Sequence, residues 1–229
     1  MKELGALDQE KELAARAAVQ LVESGNIVGL GSGSTATHAI RFLAERVREG
    51  LKIIGIPTSQ KTKQLAEQLG IPLTTLEEHP QIDIDIDGAD EIDPQLNLIK
   101  GGGGALLREK VVASASRRFI VVAESTKQVA RLGKFPLPIE VIPFAESVIQ
   151  PRIEALGARV SLRRYAYDNP YVTDEGHHIL DCNFGEIADP ADLDARLHAI
   201  PGVVEHGLFI GMAEMGFVGK DGGVVQVKR

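Results

Sequence analysis

Residues 87 to 110 read DGADEIDPQLNLIKGGGGALLREK, so Asp87, Asp90, Lys100, the glycines 101 to 104 and Glu109 fall within one short stretch. Carboxylates can move protons and a lysine can meet a developing negative charge. The N–H groups of consecutive glycines can converge on an oxygen anion without side-chain obstruction. These are the parts of a small active site. The same run also reads as a flexible linker, Gly101 to Gly104, followed by an amphipathic helix with a solvated Arg108-Glu109-Lys110 patch. The spacing of Leu106, Leu107, Lys110, Val111 and Ser114 predicts that helix and puts Glu109 about one turn from its start.

A second candidate lies at GLGSGSTA, residues 29 to 36. Gly29, Gly31 and Gly33 are spaced G-x-G-x-G, and Ser34 occupies the last position of the dinucleotide fingerprint, which therefore fails. The Walker pattern fails too, for want of Gly-Lys-Ser/Thr. What remains is a turn whose amides and the hydroxyls of Ser32, Ser34 and Thr35 stand at a helix start, a geometry suited to one phosphate group. The competing reading is a tight turn with Ser34 capping the helix.

The elements around these motifs alternate. Asp8 to Ser24 reads as an amphipathic helix with Asp8 as N-cap and Gly25 as its stop, and Lys11 on it as a solvated charge. Residues 26–30 are a strand and the helix after the glycine turn carries Ile40, Leu43 and Val47. A strand over 51–59 leads to a helix from Gln60. In residues 81–87, Ile82, Ile84 and Ile86 alternate with Asp83, Asp85 and Asp87, which is strand periodicity and sets Asp87 at the strand end. Asp90 and Glu91 are then expected in a loop past the strand's carboxyl edge, where open α/β sheets place ligands. The acids also match the first half of a calcium loop, but Pro94 stands where the bidentate glutamate belongs. Residues 118–124 are a buried strand, and Lys127 follows it either toward the same crevice as Lys100 or as an exposed loop charge.

From Gly133 the pattern changes to β-α-β-β-α-β, the ferredoxin-like order, over LPIEVIP, AESVIQPRIEALG, RVSLRR, HHILDCNF, DPADLDARLHAI and VVEHGLFI. Residues 215–229 read as a hairpin returning to the first domain. The expectation is an α/β protein: a Rossmann-like main domain, 1–132 plus 207–229, carrying an α+β ferredoxin-like lid, 133–206. His177 and His178 are adjacent and face opposite sides of a strand, a poor basis for one metal site, and Cys182 in an alternating apolar strand reads as a buried small residue.

Composition bounds the function. The chain has 229 residues, 44% hydrophobic, and a formal net charge of -7, which argues against a nucleic-acid partner. One cysteine fits a reducing compartment, and neither an apolar membrane-length run nor a signal peptide is visible, so a cytoplasmic protein with no membrane partner is expected.

GLGSGSTA, DGADEID, KGGGGALLREK, ESTKQV at 124–129 and GKFPLPIEVIP at 133–143 together resemble the ribose-5-phosphate isomerase A family, in register to IPGVVEHGLF. The resemblance implies a cofactor-free, metal-free interconversion of D-ribose 5-phosphate and D-ribulose 5-phosphate in the pentose phosphate pathway, by a homodimer or homotetramer. It implies Glu109 as the proton acceptor. The family's substrate-binding positions carry over to Ser32, Gly33, Ser34, Thr35, Asp87, Gly88, Ala89, Asp90, Lys100, Gly101, Gly102, Gly103 and Lys127. Ser32 departs from the threonine of relatives, and both supply a hydroxyl. An enediolate route needs a carboxylate, a cation or amides for the oxyanion and a group to manage the hydroxyl proton. Glu109, Lys100 with the Gly101 and Gly102 amides, and Asp87 with Asp90 supply these in turn. The alternatives are a sugar-phosphate sensor, which would need a basic DNA-binding segment not seen before residue 26, and a CoA transferase or amino-sugar-phosphate deaminase of similar architecture.

Overall fold

The computed structural model describes residues 2–165 and 168–228, with side chains from residue 5 onward. The described residues form two compact units, one within 2–89, 108–128 and 212–228, the other within 90–107, 129–165 and 168–211.

The first unit is built on a six-stranded sheet. Its strands are β1 (Ile27–Leu30), β2 (Ile54–Pro57), β3 (Ile84–Gly88), β6 (Phe119–Glu124), β12 (Met215–Lys220) and β13 (Gly223–Lys228). The order is β13-β12-β6-β3-β1-β2, parallel except for the β12–β13 hairpin. Helices α1 (Lys2–Val19), α2 (Ser34–Arg48), α3 (Gln60–Gln68) and most of α4 (Leu106–Ser114) belong to this unit. Its main core joins Ala14, Ala18, Ala39 and Leu43 of α1 and α2 to Val28, Leu30, Ile84, Ile86, Ile120 and Val122 of the strands. Ile56, Ile82 and Val112 make a smaller cluster. Parallel strands covered on both faces are buried throughout, and all six residues of β6 are. In β3 the alternation therefore separates no wet face from a dry one: Asp85 and Asp87 are as buried as Ile84 and Ile86.

Helix α1 begins at Lys2, so Asp8 lies inside it rather than capping it. The stretch before Asp8 carries no Pro, and the propensity penalty of its one glycine, Gly5, is about 1 kcal/mol, too little to stop a helix whose buried alanines pack on the sheet.

The second unit holds two antiparallel sheets. One is β10-β7-β9-β8, made of β7 (Leu137–Val141), β8 (Arg159–Leu162), β9 (His178–Asn183) and β10 (Val203–His206). With α5 (Glu146–Glu154) and α6 (Pro190–His198) it gives the expected β-α-β-β-α-β chain order. The other sheet, β11-β5-β4, pairs Leu208–Phe209, Leu98–Ile99 and Glu91–Ile92. This small sheet is why residues 90–107 group with the second unit, whereas the sequence reading kept them, with 129–132 and 207–211, in the main domain. Two-residue strands carry no periodicity from which to read them.

The expected single strand VVEHGLFI is broken at Gly207, whose N–H goes to Pro138 O and whose carbonyl receives Lys100 N. A Cβ there would lie 2.2 Å from Lys100 O, so only glycine lets the chain change sheets. Among the described residues no helix is long and apolar enough to cross a membrane.

Candidate active site

In the first unit, β1 and β3 run side by side, and their carboxyl ends bring the glycine turn to the acidic motif. Gly31 N–H donates to Ile86 O at 3.1 Å, and Ser32 N–H donates to Asp87 Oδ1 at 2.9 Å. The same oxygen accepts Gly88 N–H at 2.7 Å. Two amides on one carboxylate oxygen offset part of the cost of burying a charge at 0% exposure. A Cβ on Gly31 would stand 2.2 Å from Asp87 Oδ1, so the approach depends on glycine.

The hydroxyl of Ser32 turns inward. It donates to Ser59 Oγ at 2.8 Å, Ser59 Oγ donates to Thr62 Oγ1 at 3.0 Å, and Thr62 Oγ1 donates to Gly31 O at 3.0 Å. Thr58 Oγ1, 2.8 Å from Ser32 Oγ, completes the cluster through Leu30 O. Sequence reading expected the Ser32 hydroxyl to face a phosphate and gave those of Thr58, Ser59 and Thr62 no role, although Ser59, which caps α3 through Thr62 N–H, is a recognisable helix start. Beyond the turn, Gly33 is the N-cap of α2 at φ 95° and supplies no side-chain cap. Ser34 is the first helical residue, so the reading of it as the cap fails, and the first-turn amides of Ser34 and Thr35 are left to the helix's positive end.

Glu109 sits in the first turn of α4 and is 4% exposed. Lys127 closes a 3-10 turn, Ser125–Lys127, after β6, with Nζ 3.9 Å from the buried Glu124 Oε1. That turn is tied to α1. Glu10 Oε2 accepts Ser125 N–H at 3.0 Å and Ser125 Oγ at 2.7 Å. Partial burial pushes the Glu10 carboxyl upward, but the Ser125 bonds, the Asp221 N–H and the Lys220 charge outweigh it and hold the group below its ordinary 4.5.

In the second unit Lys100 is 2% exposed, with Nζ 5.4 Å from the Phe209 ring centroid. Asp90 N–H pairs with Ile99 O, and Asp90 Oδ2 accepts Gly102 N–H at 2.7 Å. The Gly102 amide, expected to face an oxyanion, is thus spent on Asp90. Glu91 is no loop residue. It lies in β4, 2% exposed, and its oxygens accept Gly133 and Phe135 N–H, each at 2.6 Å, a structural tie the sequence did not reveal.

Other reactive side chains in this unit have ordinary partners. His177 Nδ1 meets Glu140 Oε1 at 2.9 Å and His178 Nδ1 meets Glu146 Oε2 at 2.7 Å, so the adjacent histidines do part company. Cys182 is fully buried, and desolvation pushes its thiol far above its usual range, away from nucleophilic use. Asp194, His198 and His206 bring donor atoms within 4.8 Å of one another. Leu208 N–H donates to His206 Nδ1 at 3.3 Å, and His206 Nε2 lies 3.2 Å from His198 Nδ1. His198 Nε2 in turn faces Glu205 Oε1 at 3.2 Å. His198 Nδ1 also lies 3.1 Å from Asp194 O and His206 Nε2 lies 3.4 Å from Asp194 Oδ1, so the donor atoms of this cluster rest against one another and against neighbouring oxygens.

Residues 54–223 match the family model of ribose 5-phosphate isomerase A (phosphoriboisomerase A). A ribose-5-phosphate isomerase A of Synechococcus sp. (strain JA-3-3Ab) is 52% identical over 229 residues, covering 99% of this chain and 100% of that protein. One of Gloeobacter violaceus (strain ATCC 29082 / PCC 7421) is 54% identical over 220 residues, covering 95% of each. Among solved structures, a D-ribose-5-phosphate isomerase in complex with phospho-erythronic acid aligns with a TM-score of 0.95 at 40% identity, over 97% of this chain and 99% of the other. The ribose 5-phosphate isomerase A of Methanocaldococcus jannaschii aligns with a TM-score of 0.92 at 43% identity, over 96% and 98%.

Proposed function

We propose, from the premise that this chain belongs to the ribose 5-phosphate isomerase A family, how its residues divide the work of the reaction. The chain is an aldose–ketose isomerase interconverting D-ribose 5-phosphate and D-ribulose 5-phosphate.

In the open-chain aldose, Glu109 removes the proton from C2. The C–H electron pair becomes the C1=C2 double bond and the carbonyl pair moves onto O1, where the Lys100 ammonium meets the developing charge. Return of the proton to C1, with loss of the O2 hydroxyl proton and protonation of O1, gives the ketose. One hydrogen has moved between carbons and one between oxygens, with no oxidant or reductant.

Asp87 carries the hydroxyl proton and assists ring opening, held in place by the Ser32 and Gly88 amides. Gly88 and Ala89 border the sugar through their backbone. Asp90 is reassigned from proton handling to alignment of the glycine turn, since its carboxylate holds Gly102 N–H, and the turn's substrate contacts fall to Gly101 and Gly103. The phosphate is assigned to Gly33, Ser34 and Thr35 at the positive end of α2, with Lys127 as counter-charge. Ser32 supports that turn from below.

The observation that supports the choice of base is a contrast between two buried carboxylates: Asp87 Oδ1 is already engaged by the Ser32 and Gly88 amides, whereas Glu109 is presented on the first turn of α4. A carboxylate held out of bulk water on a helical turn meets substrate in a restricted geometry, as proton transfer requires. Incubation with ribose 5-phosphate in heavy water tests the reading. Ribulose 5-phosphate bearing solvent deuterium at C1 is expected; product that keeps the original hydrogen in full would indicate a hydride shift, and no product would refute the assignment.

We further propose a homodimer or homotetramer working in the cytoplasm. The single, buried cysteine is compatible with a reducing compartment, and sedimentation velocity would measure the assembly.

A further inference from the structure

The glycine turn is held from outside by three side chains that follow it far along the chain. Arg163, just past β8, lays its guanidinium on Asp181 of β9, with Nε to Oδ2 at 2.9 Å and Nη2 to Oδ1 at 2.5 Å. Its remaining arm, Nη1, donates to Gly101 O at 2.9 Å and to Gly102 O at 3.3 Å. Tyr171 Oη donates to the next carbonyl, Gly103 O, at 3.3 Å, and the Arg163 Cζ stands 5.8 Å from the Tyr171 ring centroid. The two residues are themselves joined, since Tyr171 N–H donates to Arg163 O at 2.8 Å. The Arg163 side chain is 14% exposed, so this is a shielded contact and not a surface ion pair.

The consequence follows from peptide planarity. The carbonyl of one residue and the N–H of the next lie in one rigid plane and point in opposite directions. The Gly101–Gly102 peptide is clamped at both ends, its oxygen by Arg163 and its N–H by Asp90. The Gly102–Gly103 peptide is held at its oxygen by the same arm, which aims Gly103 N–H away from Arg163. The Gly103–Gly104 peptide is held at its oxygen by Tyr171 and at its N–H by Gly101 O at 3.0 Å. Glycine gives up more conformational freedom on ordering than any other residue, so a run of four has no preferred direction of its own. Close packing continues the brace, for a Cβ on Gly104 would lie 2.1 Å from Tyr171 Oη.

We propose that Arg163, oriented by Asp181, together with Tyr171, forms a positioning brace that sets the amide directions of the Gly101 to Gly104 turn for the isomerisation. The three residues act through the turn and touch no substrate. A guanidinium is required because one rigid fork serves a carboxylate on one edge and two carbonyls on the other, which an ammonium cannot reproduce. The proposal rests on the reading of this turn as part of the active site.

The test pairs two measurements on the full-length chain, for R163M, R163K, D181N and Y171F. Amide hydrogen exchange across residues 101–104 reports the brace without reference to activity, while kcat and KM for ribose 5-phosphate report its use. Faster exchange confined to the turn is expected, with kcat reduced about 10- to 100-fold in R163M, R163K failing to restore it, and ethylguanidinium restoring it in part where ethylammonium does not. Unchanged exchange in the turn would overturn the brace while leaving the active-site reading intact. Faster exchange with unchanged kcat would overturn the proposal through that reading, showing the turn to lie outside the chemistry. Y171F removes one hydroxyl and keeps the ring, so it decides the question if the Arg163 variants fail to fold.

Discussion

The Ser32 amide donates to Asp87 Oδ1 at 2.9 Å across 55 residues of sequence. Through this bond the turn assigned to phosphate and the acid assigned to the sugar hydroxyls share one support, at the carboxyl ends of β1 and β3. Substrate charge and substrate chemistry are therefore registered to each other by backbone, which moves less than side chains do.

Gly31→Ala is expected to break that registration. Its methyl would fall on the Asp87 carboxylate and Cα, at 2.2 and 2.5 Å, and relief requires the two strands to part. Overpacking of this kind costs about 1–3 kcal/mol, so a lowered melting temperature together with near-complete loss of turnover is expected. A stable, active variant would show that the contact between turn and acid is dispensable.

Thr35→Ala and Lys127→Ala are expected to raise KM for ribose 5-phosphate by about tenfold each, the scale of one charge-assisted hydrogen bond of about 1.4 kcal/mol or more. The melting temperature should change little. Gly33→Val adds backbone strain at φ 95° to the same loss. Unchanged affinity in all three would reduce the turn to a plain helix start.

How much of this was legible beforehand varies with distance along the chain. Asp87, Lys100 and Glu109 stood out because strand alternation, a glycine run and a helix start lie within one stretch. The ferredoxin-like order was legible because each of its helices and longer strands carries its own period. The pairings of Glu91 with Gly133 and Phe135, and of Arg163 with Gly101 and Gly102, were not, because a buried acid or arginine has no sequence mark that names a partner dozens of residues away. The break at Gly207 was hidden for a related reason: the need for glycine arises from Lys100 O, not from its neighbours in sequence.

Stability should depend on Glu10 in a pH-dependent way. Its folded pKa is depressed, so its contribution is present above the ordinary 4.5 and is lost as pH falls through the lower folded value. Glu10→Gln should therefore lower the melting temperature at pH 7 by about 2–4 °C, the equivalent of about 1 kcal/mol for a partly exposed carboxylate. The two proteins should converge as pH is lowered below 4.5. A constant difference across the range would mean that the Ser125 contacts do not depend on the charge.

Activity is expected to survive exhaustive chelation and to need no added nucleotide, since the roles assigned to Glu109, Lys100 and Asp87 require neither. Loss of turnover restored by one particular ion would reopen Asp83, Asp85 and Asp87 as ligands.

The central claim is that Glu109 moves the carbon-bound proton, and the most direct measurement is solvent deuterium exchange at the substrate carbon in Glu109→Gln, followed together with product formation and ligand binding. The amide keeps the shape of the carboxylate but cannot accept the proton, so exchange and turnover should fall together by about 10² to 10⁴ or more, while ribose 5-phosphate still binds. Exchange at the parent rate in Glu109→Gln, with its loss in Asp87→Asn, would contradict the account and move the base to Asp87.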